Sequence, residues 1–182
     1  QWLRDRMKFF KKAPETEKIV KSLDNNNDIY LVPAFTGLGA PYWDANARGV
    51  LSGITRDTSP KEIVRATIEA VAYQTFDLFE AMKHDGLRPK IVKVDGGMVM
   101  NNWFSQFLSD IVNVKVLRPK VQETTALGAA FMAGLQIGLY KSLKDISKNW
   151  HLDKKFSPKM KNKSRSTLIK GWEKAVKRAL IN

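Results

Sequence analysis

Ser59-Pro60-Lys61-Glu62 is the strongest local constraint in the chain. A serine oxygen can cap a helix, proline suits the first helical position, and a glutamate three residues after the serine closes a capping box. The spacing predicts a long helix from this point. Val64, Ile68, Val71, Thr75, Leu78 and Met82 form its apolar stripe, at alternating steps of four and three. The pattern stops near Asp85-Gly86, where glycine suits a helix end. A helix of that length spans a whole domain and has to bury one face against other layers. If the stripe is that face, Val71→Asp would strongly destabilise the chain, because an unpaired carboxylate would enter an apolar surface.

Strands are expected on both sides of this helix. Ile29-Tyr30-Leu31-Val32 is a buried-strand run ended by Pro33, and Gly49 to Ile54 is a second. Ile91-Val92-Lys93-Val94 is a third, and it stops at Asp95-Gly96-Gly97. Asn101 or Asn102 then caps a helix that places Phe104, Phe107, Leu108 and Ile111 on one face. Val114 to Leu117 is a strand closed by Pro119. Thr124 or Thr125 caps a helix rich in small residues (Ala126, Gly128, Ala129, Ala130, Ala133, Gly134), a surface that can pack closely on a sheet. A short helix is expected around Ser142 to Ile146. A last one over residues 164–180 has Leu168, Trp172, Val176 and Ala179 on its apolar face. Near the start, Trp2, Leu3 and residues 6–10 have helical spacing, while 14–27 are polar and read as a loop around Asn25-Asn26-Asn27. The order implies an α/β layered domain with a partly parallel sheet.

With 182 residues the expectation is one domain over residues 1–182. It is introduced by a helix and loop over 1–28 and closed by a basic helix over 159–182. Gln1-Trp2-Leu3-Arg4-Asp5 does not read as an initiator sequence but as the middle of a helix, so a piece of a longer protein is expected. The chain contains no cysteine, which excludes disulfides, thiolate metal ligands and a Cys nucleophile within it. No apolar run approaches the roughly 20 residues of a membrane span, and a cytoplasmic location is expected. The net charge of +13 is uneven: residues 1–140 carry +3 and residues 141–182 carry +10. A nearly neutral body suits a fold that handles a small molecule. The basic segment reads first as a lysine-rich solvated face, with contact to an anionic partner as the alternative.

Two segments are candidates for chemistry. In residues 94–101 (VDGGMVMN) a strand runs into two glycines and then a helix. Ligands of open α/β sheets bind beyond strand ends beside helix N-termini, and glycines let a phosphate or ribose approach the backbone. The same residues also suit a tight turn, Gly96-Gly97, with Asn101 as a plain helix cap. Residues 36–44 (TGLGAPYWD) form a glycine-rich loop. Tyr42 and Trp43 either pack back on the core or form a contact surface. No catalytic constellation is present: His84 and His151 sit in polar segments, and Asp95 is the lone carboxylate beside the glycine turn.

Three stretches, YLVPAFTGLGAPYWDANARGVLSGITRDTSPKEIVRATIEAVAYQ, VDGGMVMNN and ETTALGAAFMAGLQIGLY, closely resemble the C-terminal domain of the FGGY carbohydrate kinases. The PAFTGLGAPYWD loop resembles the branch that phosphorylates glycerol. The resemblance implies a ribonuclease H-like (actin-like ATPase) domain, with a mixed sheet and flanking helices, that forms the nucleotide-binding half of a two-domain kinase. It implies that Gln1, Gly97 and Asn101 contact ADP, with Gly96 as a plausible neighbour. It further implies ATP/ADP and Mg²⁺ as cofactors, the metal ligands lying outside this chain. Glycerol would be held through an N-terminal domain that also carries the catalytic base, so this chain has no catalytic residue and is inactive alone. A homo-oligomer is possible and nucleic acid is not expected as a partner. Alternatives are another sugar kinase of the same family, or a non-enzymatic module that binds through the basic segment.

Overall fold

The computed structural model describes residues 1–180; residues 181–182, the end of the expected basic helix, lie outside the described residues. Helix α1 is Trp2–Asp5 and α2 is Glu15–Lys21. Strands β1 (Tyr30–Val32) and β2 (Val50–Ser52) precede α3 (Pro60–His84). Then come β3 (Ile91–Lys93), a 3-10 turn (Gly97–Met100), α4 (Asn102–Val112), β4 (Lys115–Pro119) and α5 (Thr124–Gln136). The chain ends with α6 (Leu143–Ser147), β5 (Leu152–Phe156) and α7 (Asn162–Ala179).

The capping box forms as expected. Ser59 Oγ accepts from Lys61 N at 3.2 Å, and the Glu62 carboxylate accepts from Ser59 N at 2.9 Å. The buried face of α3 departs from the expected stripe. Val64 and Ile68 are buried, but Val71, Leu78 and Met82 are 36%, 39% and 38% exposed. The interior face carries Ala66, Ala70, Ala72, Tyr73 and Phe76 instead. Helix α3 packs on β1 and on α4, so small alanines, which let backbones approach, outrank larger side chains. Besides the capping Glu62, two more carboxylates go inside because each finds donors. Glu69 accepts from Arg65 Nε at 2.7 Å and from the Tyr73 hydroxyl at 3.1 Å. Asp77 accepts from Trp172 Nε1 at 2.8 Å. Burial nonetheless pushes both carboxyls above their ordinary range, Asp77 to about 6.

Tyr73 ties the layers together. Its ring stacks on Trp172 at 5.3 Å, meets Phe107 edge-on at 5.6 Å and lies 5.9 Å from Tyr30. Four elements therefore meet at one aromatic residue. Strands β1 and β2 pair antiparallel, with Leu31 opposite Leu51. Strands β3 and β4 pair parallel through the α4 crossover, and β5 adds antiparallel to β4, giving the order β3-β4-β5. The expected partly parallel sheet is this one.

Several boundaries differ from expectation. The first helix stops at Asp5, and Lys8 adopts φ 58, so residues 6–10 do not continue it. Helix α2 occupies a segment that reads as loop. Strand β5 arises in a lysine-rich run in which only Phe156 is buried. Glu123 precedes α5 without a side-chain cap; Thr124 instead donates to Asp95. In the glycine-rich loop, Tyr42 packs on the core while Trp43 is 78% exposed, so the two aromatics divide the two alternatives. Gly37 is required there: it has φ +93, and a Cβ would stand 2.8 Å from Ala45 Cα.

Candidate nucleotide site

The site is built where β3 ends. Val94 N donates to Leu117 O at 3.0 Å, which extends the parallel pairing to the brink of the turn. Asp95 then reaches across to Thr124 at the start of α5. Gly96 has φ 81 and ψ 175, a conformation essentially confined to glycine. The 3-10 turn that follows is pinned by Val99, which is buried. The Val99 carbonyl accepts from Ser105 Oγ at 2.9 Å and from Arg118 Nη1 at 2.8 Å. Arg118 is itself buried and held by Asp153, with Nε to Oδ2 at 2.7 Å. A guanidinium locked at both ends thus fixes the height of the glycine turn above the sheet.

Asn101 closes the turn. Its Oδ1 accepts from Phe104 N at 3.0 Å, capping α4. Its Nδ2 donates to Thr16 Oγ1 on α2 at 3.4 Å. Asn101 is therefore the helix cap expected from its place in the sequence, and it also forms part of a cavity wall.

That cavity, of about 690 Å³, lies between α1, α2, α3 and the glycine turn. Gln1, Gly97 and Asn101 all line it. Gly96 is not among its lining residues. Apolar walls come from Trp2, Phe35, Ile68, Val71 and Met100. Trp2 and Phe35 meet with ring centroids 5.1 Å apart. Polar groups include Arg4, Thr16 and Glu17. Burial alone would push the Glu17 carboxyl up, but bonds from Lys21 and the Asn102 N–H outweigh it and hold it below the usual range.

The two glycines serve different ends. Gly96 is needed for its backbone conformation. Gly97 is not, and a Cβ built on it meets nothing within 4 Å. The backbone at Gly97 therefore faces open space, as close approach of a ligand would need. An apolar slot with a few convergent polar groups is the usual form of a small-molecule site. The sequence did not single out Ala13, Pro14, Thr16 and Glu17, because α2 was expected to be a loop. Two glutamates in its first turn and Ile19-Val20 behind them are the signal for that helix.

A larger cavity of about 1080 Å³ lies elsewhere, between residues 24–28, the start of α3, one side of α4, and α7. None of the four sequence candidates lines it. Among the described residues no helix is long and apolar enough to cross a membrane.

Comparison with known proteins identifies the lineage. The family model described as "FGGY family of carbohydrate kinases, C-terminal domain" matches residues 1–137. The chain belongs to this FGGY family. Among curated relatives, Glycerol kinase 1 of Pseudomonas aeruginosa is 54% identical over 178 residues, covering 98% of this chain and 36% of the relative. Glycerol kinase of Clostridium botulinum is 51% identical over 181 residues, covering 99% and 36%. The chain thus spans about 36% of the length of the curated relatives it matches. Among solved structures, Plasmodium falciparum glycerol kinase with ADP superposes with TM-score 0.87 at 37% identity, over 100% of this chain and 36% of that one. A ligand-bound xylulose kinase from Lactobacillus acidophilus gives 0.78 at 26% identity, over 97% and 36%. The fold is accordingly the ribonuclease H-like, actin-like one of the FGGY kinases.

Proposed function

We propose that the chain is the C-terminal, nucleotide-binding domain of an ATP-dependent glycerol kinase. The full-length enzyme would convert ATP and glycerol to ADP and sn-glycerol 3-phosphate. The observation that carries this reading is convergence. Gln1 at the start of the chain and Gly97 and Asn101 in the glycine turn line one cavity, and the Gly97 backbone opens on free space. Identities of 54% and 51% to glycerol kinases favour glycerol over the pentuloses suggested by a xylulose kinase at 26%.

In this reading residues 1–182 form one domain. The apolar walls sandwich the base, Gln1 and Asn101 meet its polar edge, and the glycine turn admits the phosphate chain. Gly96 acts through the turn's shape rather than by contact. Mg²⁺ would shield the phosphate charge during transfer, held by ligands outside this chain. The base that takes the glycerol proton and the contacts to glycerol belong to the remainder of the enzyme. The protein would work in the cytoplasm, where ATP is available.

The test is ADP release from ATP, Mg²⁺ and glycerol. The full-length enzyme is expected to turn over with glycerol and to discriminate against xylulose. The 182-residue chain by itself is expected to give no glycerol-dependent release. Robust turnover by this chain alone, or preference for xylulose, would overturn the reading.

A further inference from the structure

We infer that Thr16, at the start of α2, is a positioning residue that orients the Asn101 amide in the cavity wall; this rests on the nucleotide reading above. The Thr16 hydroxyl donates its one hydrogen to Ala13 O at 2.7 Å. Its oxygen is then left only as an acceptor, and Asn101 Nδ2 donates to it at 3.4 Å. At the other end of the same amide, Asn101 Oδ1 accepts from Phe104 N at 3.0 Å. The two ends of the amide are thereby distinguished. A flip would set Oδ1 against an oxygen with no hydrogen left to give, and Nδ2 against an N–H donor.

Each end also keeps one unused capacity, one N–H and one lone pair. Asparagine uses that donor–acceptor pair against the amino group and ring nitrogen of adenine. The neighbouring Asn102 is held by its backbone N–H instead. Glu17 accepts from Asn102 N at 3.3 Å while Lys21 Nζ holds its other oxygen at 2.6 Å. The first turn of α2 therefore holds the start of α4 at both Asn101 and Asn102, across 85 residues of sequence.

The experiment uses the full-length kinase and compares Thr16→Val, Thr16→Ser and Asn101→Ala. Thr16→Val keeps the shape and removes the hydroxyl. It is expected to raise KM for ATP about two- to tenfold, one hydrogen bond's worth, with kcat and KM for glycerol unchanged. Thr16→Ser should restore KM for ATP to near that of the parent. A thermal melt accompanies each variant; if Thr16→Val folds poorly, Thr16→Ala takes its place with the same readouts. If Asn101→Ala raises KM for ATP but the Thr16 variants do not, the positioning role is wrong and the nucleotide reading stands. If neither substitution changes it, the nucleotide reading fails and this inference with it. A Thr16→Val effect confined to kcat or to glycerol also overturns the inference.

Discussion

Asp77 carries a cost that pH should reveal. It lies inside the core, where burial pushes its pKa up to about 6 from an ordinary 3.8. The Trp172 and Tyr42 donors only partly offset this, and Glu173 adds repulsion. Between about pH 4 and 6 the folded chain keeps a proton that the unfolded chain has released. Stability from this group therefore falls as pH rises through that window, by at most roughly 2–3 kcal/mol. Asp77→Asn keeps an acceptor for Trp172 Nε1. It is expected to flatten that part of the pH profile and to raise Tm at pH 7; an unchanged slope would contradict the assignment. The adjacent glycines make a second contrast. Gly96→Ala should destabilise by about 1–3 kcal/mol because of its φ of 81. Gly97→Ala should leave Tm nearly unchanged, because its Cβ would enter open space. Chemical denaturation of the two variants side by side checks this.

At the scale of elements, helix α3 shows what periodicity conveys and what it omits. The capping box and the Asp85 end were legible because caps are local chemistry, and Ser59→Ala should cost about 0.5–2 kcal/mol. The buried face was not legible, since it depends on which neighbours the helix meets. Val71 is 36% exposed at the cavity wall, so Val71→Asp is expected to shift Tm only slightly, contrary to the stripe reading. Ala72→Asp, on a fully buried position, should unfold the domain. A thermal melt of the pair decides between the faces. The strands before and after the glycine turn were legible from Ile/Val runs ended by glycine or proline. Strand β5 was not: its lysines suit an edge that is paired on one side and solvated on the other. Helix α2 was hidden by its charge, although Val20 anchors it in the core. Gln1 was marked as a candidate only through family resemblance. The residues alone left 94–101 open between a ligand-binding turn and a tight turn with Asn101 as a helix cap, and Asn101 is that cap as well.

At the scale of the whole molecule, the uneven charge has a physical place. On α7 the exposed Lys170, Lys174 and Lys177 alternate with buried Trp172, Ala175 and Val176, so the basic excess lies on the solvent face. The chain supplies a wall of apolar side chains, a fixed glycine turn and a clasped asparagine, which together make a cavity open on one side. The central claim is that this cavity holds the nucleotide and that glycerol is held elsewhere. Its most direct test is steady-state kinetics of full-length Gly97→Val and Asn101→Ala, with ATP and glycerol varied separately. Both variants are predicted to raise KM for ATP, Asn101→Ala by about two- to tenfold and Gly97→Val by more, while KM for glycerol stays that of the parent. A defect confined to glycerol, or no defect in either, would contradict the account and return residues 94–101 to a turn followed by a helix cap.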